Sequence, residues 1–188
     1  MGEFLQSIDT SLFRAINSGE THAWLDAFFI TISTTKFALP FYVVGLLAMI
    51  VVGVRNRTSI EGKKYLWTAG LLVVTITLID KASHYLLKEV IQRPRPYLTL
   101  TDVHQLVGSG GGSFPSNHAM NTAAMAVILG WCMPRIRPYA WLYAALAAFS
   151  RVYCGVHYPS DVLGGMAIGA LVGYGVTRIA DRWLLVRR

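Results

Sequence analysis

The fold class this sequence predicts is all-α: a polytopic transmembrane helix bundle of five to six membrane helices plus an N-terminal amphipathic helix. Three observations predict it. Of the 188 residues, 54% are hydrophobic and 14% charged, against about a quarter charged in ordinary soluble domains, and the mean hydropathy is +0.45. Apolar runs close to the length of a bilayer crossing recur along the chain. Short Lys/Arg clusters, and no longer polar domains, separate them. The length suits one domain, 1–188, divided into N-terminal interfacial helices over 1–34 and a transmembrane core over 37–182. The net charge of +7 comes from the clusters between apolar runs and makes no basic face. No nucleic-acid partner is expected.

Residues 3–17 place Phe4, Leu5, Ile8, Leu12, Phe13 and Ile16 at helical spacing, the pattern of a helix lying in the interface. Glu3, Asp9, Arg14 and Glu20 interrupt the region, so it is not a cleavable signal. After an Asn17-Ser18-Gly19 break, Trp24, Leu25, Phe28, Phe29 and Ile32 form a second apolar face. Residues 22–34 read as an interfacial or half-inserted helix, or else as the start of one long span kinked at Pro40.

The first full span covers about Phe37 to Val54, and the second about Tyr65 to Leu87. Asp80, Lys81 and His84 interrupt the second, so they are expected to face protein or a watery cavity. A Pro- and Gly-rich loop over 93–115 leads to a third span from Ser116 to Met133. The fourth occupies about Tyr139 to Ser150 and the fifth about Val162 to Val176, both extended into the interface. Gly165, Gly169 and Gly173 make successive small-xxx-small pairs, a surface for close helix packing. Cys132 and Cys154 fall at opposite ends of their spans, too far apart for a disulfide.

With five spans, Arg55, Arg57, Lys63, Lys64, Arg135, Arg137, Arg178, Arg182, Arg187 and Arg188 share one side. The positive-inside rule makes that side, and the C-terminus, cytoplasmic. The 93–115 loop and the 151–161 loop then meet on the periplasmic or exterior face.

Three polar stretches converge there. Lys88 ends the second span, and Arg93-Pro94-Arg95-Pro96 opens the loop; an ammonium and rigid guanidinium forks suit a tetrahedral oxyanion. GSGGGSFPSNH, Gly108 to His118, offers exposed amides, with Ser116 at the start of a helix, where backbone donors can hold an anion. RVYCGVHYPSD, Arg151 to Asp161, spaces a histidine four residues before a carboxylate, so one imidazole nitrogen can be held while the other reacts. Cations, an oriented histidine and a second histidine meet the needs of phosphoryl transfer without a metal or another cofactor.

Together these stretches resemble the type 2 phosphatidic acid phosphatase superfamily, whose signature is K-x6-R-P, P-S-G-H and S-R-x5-H-x3-D. Lys88 precedes Arg95-Pro96 at that spacing, Pro115-Ser116-Asn117-His118 is the middle motif, and Ser150-Arg151 leads to His157 and Asp161. The resemblance implies that His157 is the nucleophile of a phosphohistidine intermediate, oriented by Asp161. His118 would protonate the leaving oxygen and then assist water. Lys88, Arg95, Arg151 and Ser116 would bind phosphate oxygens. Arg93 lies outside the motif and is a candidate diphosphate or headgroup contact. Asn117 replaces the usual glycine: either it takes a positive φ, which asparagine tolerates, or its side chain joins the substrate contacts.

The implied enzyme is an integral-membrane lipid phosphatase of the bacterial inner membrane, its partners the bilayer and a lipid phosphate. Relatives of this kind act on undecaprenyl diphosphate, phosphatidylglycerol phosphate, phosphatidic acid or lipid A. The first two are the preferred substrates and lipid A 1-phosphate the runner-up. A non-catalytic anionic-lipid binder or transporter is the reading from another class. Oligomeric state is left open.

Overall fold

A computed structural model describes residues 2–17 and 22–186. The Ser18-Gly19 break, Glu20, Arg187 and Arg188 lie outside the described residues. The chain folds as helices α1 (Gly2–Ile16), α2 (Ala23–Ser33), α3 (Thr35–Arg55), α4 (Ile60–Ala82), a π-helical turn (Ser83–Lys88), α5 (Glu89–Ile91), α6 (Pro96–Thr99), α7 (Asn117–Cys132), a 3₁₀ turn (Pro134–Ile136), α8 (Arg137–Tyr153) and α9 (Pro159–Val186).

α1 turns its inner side to the bundle and leaves Phe4, Leu5, Ile8 and Leu12 exposed. Phe13 is buried against Tyr158, ring centroids 5.7 Å apart. At the end of the helix, the Asn17 side chain donates to the carbonyls of His104 and Tyr153 and accepts from the His104 amide. A residue read from sequence only as a helix break therefore ties three segments together.

The chain bends at Thr34 (φ −107°, ψ 107°), whereas Pro40 sits inside α3 without interrupting it. The alternative of one span kinked at Pro40 is thus not the observed arrangement. Ser59 caps α4 by accepting from the Gly62 amide at 2.9 Å. The helix continues through the π turn to Ile91 and stops where Gln92 is left-handed (φ 45°). Asp80 turns toward α7, but Lys81 and His84 lie on the exposed side, with His84 3.7 Å from Glu89.

α7 is the central helix. Ala119, Ala123, Ala124, Ala126 and Gly130 are buried along it, and α9, α8 and α4 pack around it. The glycine stripe of α9 makes the closest of these contacts: a Cβ on Gly165 would meet the Ser116 carbonyl, one on Gly169 the Met120 carbonyl and one on Gly173 the Ala124 carbonyl. Only glycine permits such backbone-to-backbone approach.

Thr35–Arg55, the stretch Ile60–Thr99 and Pro159–Trp183 are long and apolar enough to cross a membrane by length and composition. α7 and α8, at 16 and 17 residues, are about 24–26 Å long, slightly short of a hydrocarbon core of roughly 30 Å. At one end of the bundle Lys64 lies over the Trp131 ring, and the Trp131 indole donates to Asp181 at 2.9 Å. Those contacts bring the start of α4 and the ends of α7 and α9 together at the basic end. Both cysteines are free thiols.

Candidate active site

The opposite end of the bundle gathers the polar stretches. α9 begins with Pro159 as its first helical residue, and Asp161, two positions on, reaches back to accept from the Tyr158 amide at 2.8 Å. This is one half of a capping box, with proline where a helix tolerates it best. The helix start alone therefore fixes the Asp161 carboxylate. Its Oδ2 also accepts from the Ser113 hydroxyl at 2.8 Å, and its Oδ1 from Arg93 Nη1 at 2.6 Å.

Gly155 (φ 78°) turns the chain out of α8 and places His157, 3% exposed, beside Asp161. His157 Nδ1 lies 3.5 Å from Asp161 Oδ2, close enough to feel the charge yet without hydrogen-bond geometry. On the other side Arg95 Nη1 is 3.1 Å from Nε2. A guanidinium only donates, so Nε2 carries the lone pair and Nδ1 the proton, facing Asp161. Burial, reinforced by Arg151 and Arg95 and opposed by Asp161, pushes His157 down to about 4, which keeps it neutral near pH 7.

Arg95 is 2% exposed and uses all five of its N–H groups. Nε donates to the Gly111 carbonyl, Nη2 to the carbonyls of Gly110 and Gly112, and Nη1 to Val156 and to His157. The residue expected to bind phosphate thus first organises the glycine loop around the histidine. Lys88, at the end of the π turn, donates to the Gly112 carbonyl at 3.0 Å. A π turn shifts the helical register at the position that delivers this ammonium.

Ser116 is the N-cap residue of α7, but its hydroxyl does not cap; it is buried without a protein partner. Asn117 is the first residue of α7 and is not at positive φ. Its side chain accepts from Ser83 at 2.7 Å and donates to Asp80 at 3.0 Å. The amide that replaces the usual glycine therefore clamps α7 to α4 and the π turn. His118 follows, its Nε2 3.1 Å from the Thr35 hydroxyl. Arg151, 4% exposed, donates through Nη1 to the carbonyl and hydroxyl of Ser33 and keeps an unpartnered Nε.

Arg93, the candidate diphosphate or headgroup contact, is held by protein groups. It donates to Asp161 and Ser160 through Nη1 and to Asp9 and Gln6 through Nη2, and it stacks on Tyr158 with Cζ 4.3 Å from the ring. Two buried carboxylates hold its charge, and it does not line the cavity.

The cavity has a volume of about 670 Å³, within the usual range for a ligand site. Lys88, Arg95, Asn117, His118, Arg151 and His157 all line it, together with Leu106, Val107 and the glycine loop. Sequence reading missed Ser33, Thr34, Thr35 and Lys36, which form another wall. The signal was the polar Ser-Thr-Thr-Lys run between two apolar segments. Asp9 was missed as well; the available clue was a second acid, after Glu3, in an amphipathic helix. It accepts from the Ser160 amide at the start of α9.

The family model described as the PAP2 superfamily matches residues 66–184. Undecaprenyl-diphosphatase BcrC of Bacillus subtilis is 30% identical over 90% of this chain and 83% of its own length. A lipid A 4'-phosphatase of Bacteroides thetaiotaomicron is 29% identical over 93% of this chain and 77% of its own. Among solved structures, a transmembrane PAP2-type phosphatidylglycerolphosphate phosphatase from Bacillus subtilis superposes with a TM-score of 0.73 at 29% identity, covering 95% of this chain and 87% of that one.

Proposed function

The chain belongs to the PAP2 superfamily and is a membrane lipid phosphatase; from that premise we propose that it hydrolyses undecaprenyl diphosphate, phosphatidylglycerol phosphate or both, without a metal, through a phosphohistidine. The carrying observation is the placement of His157 between Asp161 and Arg95 at the wall of a cavity that Lys88, Arg151 and His118 also line.

In the first step Nε2 attacks phosphorus and the bond to the leaving oxygen breaks. His118 gives that oxygen a proton. Arg95 Nη1 passes from Nε2 to a phosphate oxygen as the new P–N bond forms, so the cation that shielded the lone pair stabilises the transition state. Lys88, Arg151 and the Ser116 hydroxyl bind the remaining oxygens. The Nδ1 proton stays on His157, where Asp161 balances the developing imidazolium charge. In the second step His118 takes a proton from water, water oxygen attacks phosphorus, the P–N bond breaks and inorganic phosphate leaves.

The basic end of the bundle belongs in the cytoplasm by the positive-inside rule. The site then opens on the periplasmic or exterior face of the inner membrane, where a lipid can present its phosphate while its chains stay in hydrocarbon. A sugar-linked lipid phosphate is the second reading, supported by the Bacteroides relative.

The test is phosphate release by purified protein from matched prenyl diphosphates, phosphatidylglycerol phosphate and lipid A, in EDTA, beside His157→Ala. Wild type is expected to turn over one of the first two fastest and to trap acid-labile label from ³²P substrate on His157. Preference for lipid A would favour the second reading. Turnover that survives in His157→Ala would overturn the mechanism.

A further inference from the structure

We infer that the α2–α3 junction is a positioning element of the active site: Thr35 sets the His118 imidazole and Ser33 sets the Arg151 guanidinium. This rests on the proposed reading of His118 as the leaving-group acid and of Arg151 as a phosphate ligand.

The bend at Thr34 makes the arrangement available. In a continuous helix the Ser33 carbonyl would accept from the Phe37 amide; here that amide bonds to the Thr34 carbonyl at 3.1 Å. The released Ser33 carbonyl accepts from Arg151 Nη1 at 2.9 Å, and the Ser33 hydroxyl accepts from the same nitrogen at 2.6 Å. One corner of the fork is thereby pinned, while the buried Nε keeps an unused donor. A guanidinium held by one corner presents the rest in a fixed plane, as phosphate recognition requires.

Two residues further on, Thr35 opens α3 and its hydroxyl meets His118 Nε2 at 3.1 Å. The partners are 83 positions apart in sequence. A contact on one ring nitrogen restricts the rotation of an imidazole, and that orientation decides where its proton can be delivered. Thr35 is exposed, so this contact adds little to folding. A purely structural role therefore predicts almost no effect of removing the hydroxyl. A positioning role predicts a large effect confined to the proton-transfer step.

Leaving-group chemistry separates these outcomes. An alkoxide needs its proton in the transition state, whereas a nitrophenolate leaves without one. The experiment uses full-length wild type, Thr35→Val, Thr35→Ser, Ser33→Ala and His118→Ala on a series of phosphate esters that the wild type hydrolyses, graded from alkyl to nitrophenyl. Thr35→Val is expected to lower kcat for alkyl esters by about 10- to 100-fold, a large part of what a general acid contributes. KM and the best leaving group should stay within about threefold, and Thr35→Ser should restore most of the loss. Ser33→Ala is expected to weaken inhibition by inorganic phosphate by roughly tenfold, the scale of a hydrogen bond to a charged group, without changing the dependence on leaving group.

Thr35→Val acting equally on every ester, or on none, while His118→Ala remains selective for poor leaving groups, would overturn the positioning role of Thr35 and leave the acid assignment standing. A His118→Ala variant indifferent to leaving group would overturn both. Unchanged phosphate inhibition in Ser33→Ala would remove Ser33 from the proposal.

Discussion

Arg93 Nη1 lies 2.6 Å from Asp161 Oδ1, and its other terminal nitrogen lies 2.6 Å from Asp9 Oδ2, so one guanidinium joins α1 to the carboxylate beside His157. The Asp161 side chain is fully buried. Arg93→Met would leave two carboxylates without their cation, and breaking such a pair costs about 3–5 kcal/mol. The expected result is a lowered unfolding temperature in detergent together with weak turnover. Asp9→Asn should cost less, because Arg93 and Asp161 remain paired.

Arg95→Lys preserves charge but not the fork. Lysine has three donors at one point against the five contacts Arg95 makes across Gly110, Gly111, Gly112, Val156 and His157. The glycine loop should loosen, and kcat should fall by about 100-fold or more, the scale of losing one preorganised oxyanion donor. Faster proteolytic cutting within 108–112, compared with wild type, would register the loop effect separately from turnover.

Asn117 and Ser83 should be energetically coupled. Asn117→Gly removes the bonds to both Ser83 and Asp80, and a cost of about 1–3 kcal/mol is expected. Ser83→Ala alone strands the Asn117 oxygen. In a double-mutant cycle followed by unfolding, the pair should show an interaction of about 1 kcal/mol; additivity would mean that the clamp contributes nothing.

The helices were legible because a bilayer demands apolar runs of known length, and because basic residues mark their ends. Motif spacing located Lys88, His118, Arg151, His157 and Asp161, which the fold brings to one end of the bundle. The glycine stripe of α9 was readable for the same reason: a repeat of four places small residues on one helix face. What sequence did not reveal were the partners. Nothing in the order of residues says that Arg93 faces Asp9, 84 positions away, or that the Asn117 amide bonds to Asp80 on α4. Side-chain pairing across the bundle depends on helix rotation, and the π turn before Lys88 changes that rotation within one helix. The Ser33–Lys36 run was visible but ambiguous, since a polar interruption at a span boundary also suits the interface.

His157 ties stability to pH. In the unfolded chain a histidine takes its proton near 6.5, and in the fold His157 does so only at about 4. Between those values the unfolded state binds more protons, so stability from this group is fully present above about 6.5 and is lost as pH falls toward 4. His157→Asn should flatten that part of the profile. As pH is lowered from 7.5 to 4.5, the unfolding temperature of wild type is expected to drop relative to that of the variant, with most of the change below about 6.5. Turnover of wild type should also retain a neutral nucleophile down to about pH 4 wherever the fold persists.

Gly169 and Gly175 lie on the same helix and should respond oppositely to an added methyl. At Gly175 an added Cβ meets nothing within 4 Å, whereas at Gly169 it would run into the backbone carbonyl of Met120 on α7. Backbone cannot rotate aside as a side chain does, so Gly169→Ala must push α9 away from the central helix. That displacement would move Asp161, at the head of α9, relative to Ser116 and His118, at the head of α7. Overpacking of this kind costs about 1–3 kcal/mol or more, while Gly175→Ala should be neutral or slightly stabilising through helix propensity. Unfolding of the two variants in detergent makes the comparison, with phosphate release as the second readout. Equal stability of both would mean that the α7–α9 contact is looser than its geometry implies, and the close approach would then no longer account for how the two helix starts are held in register.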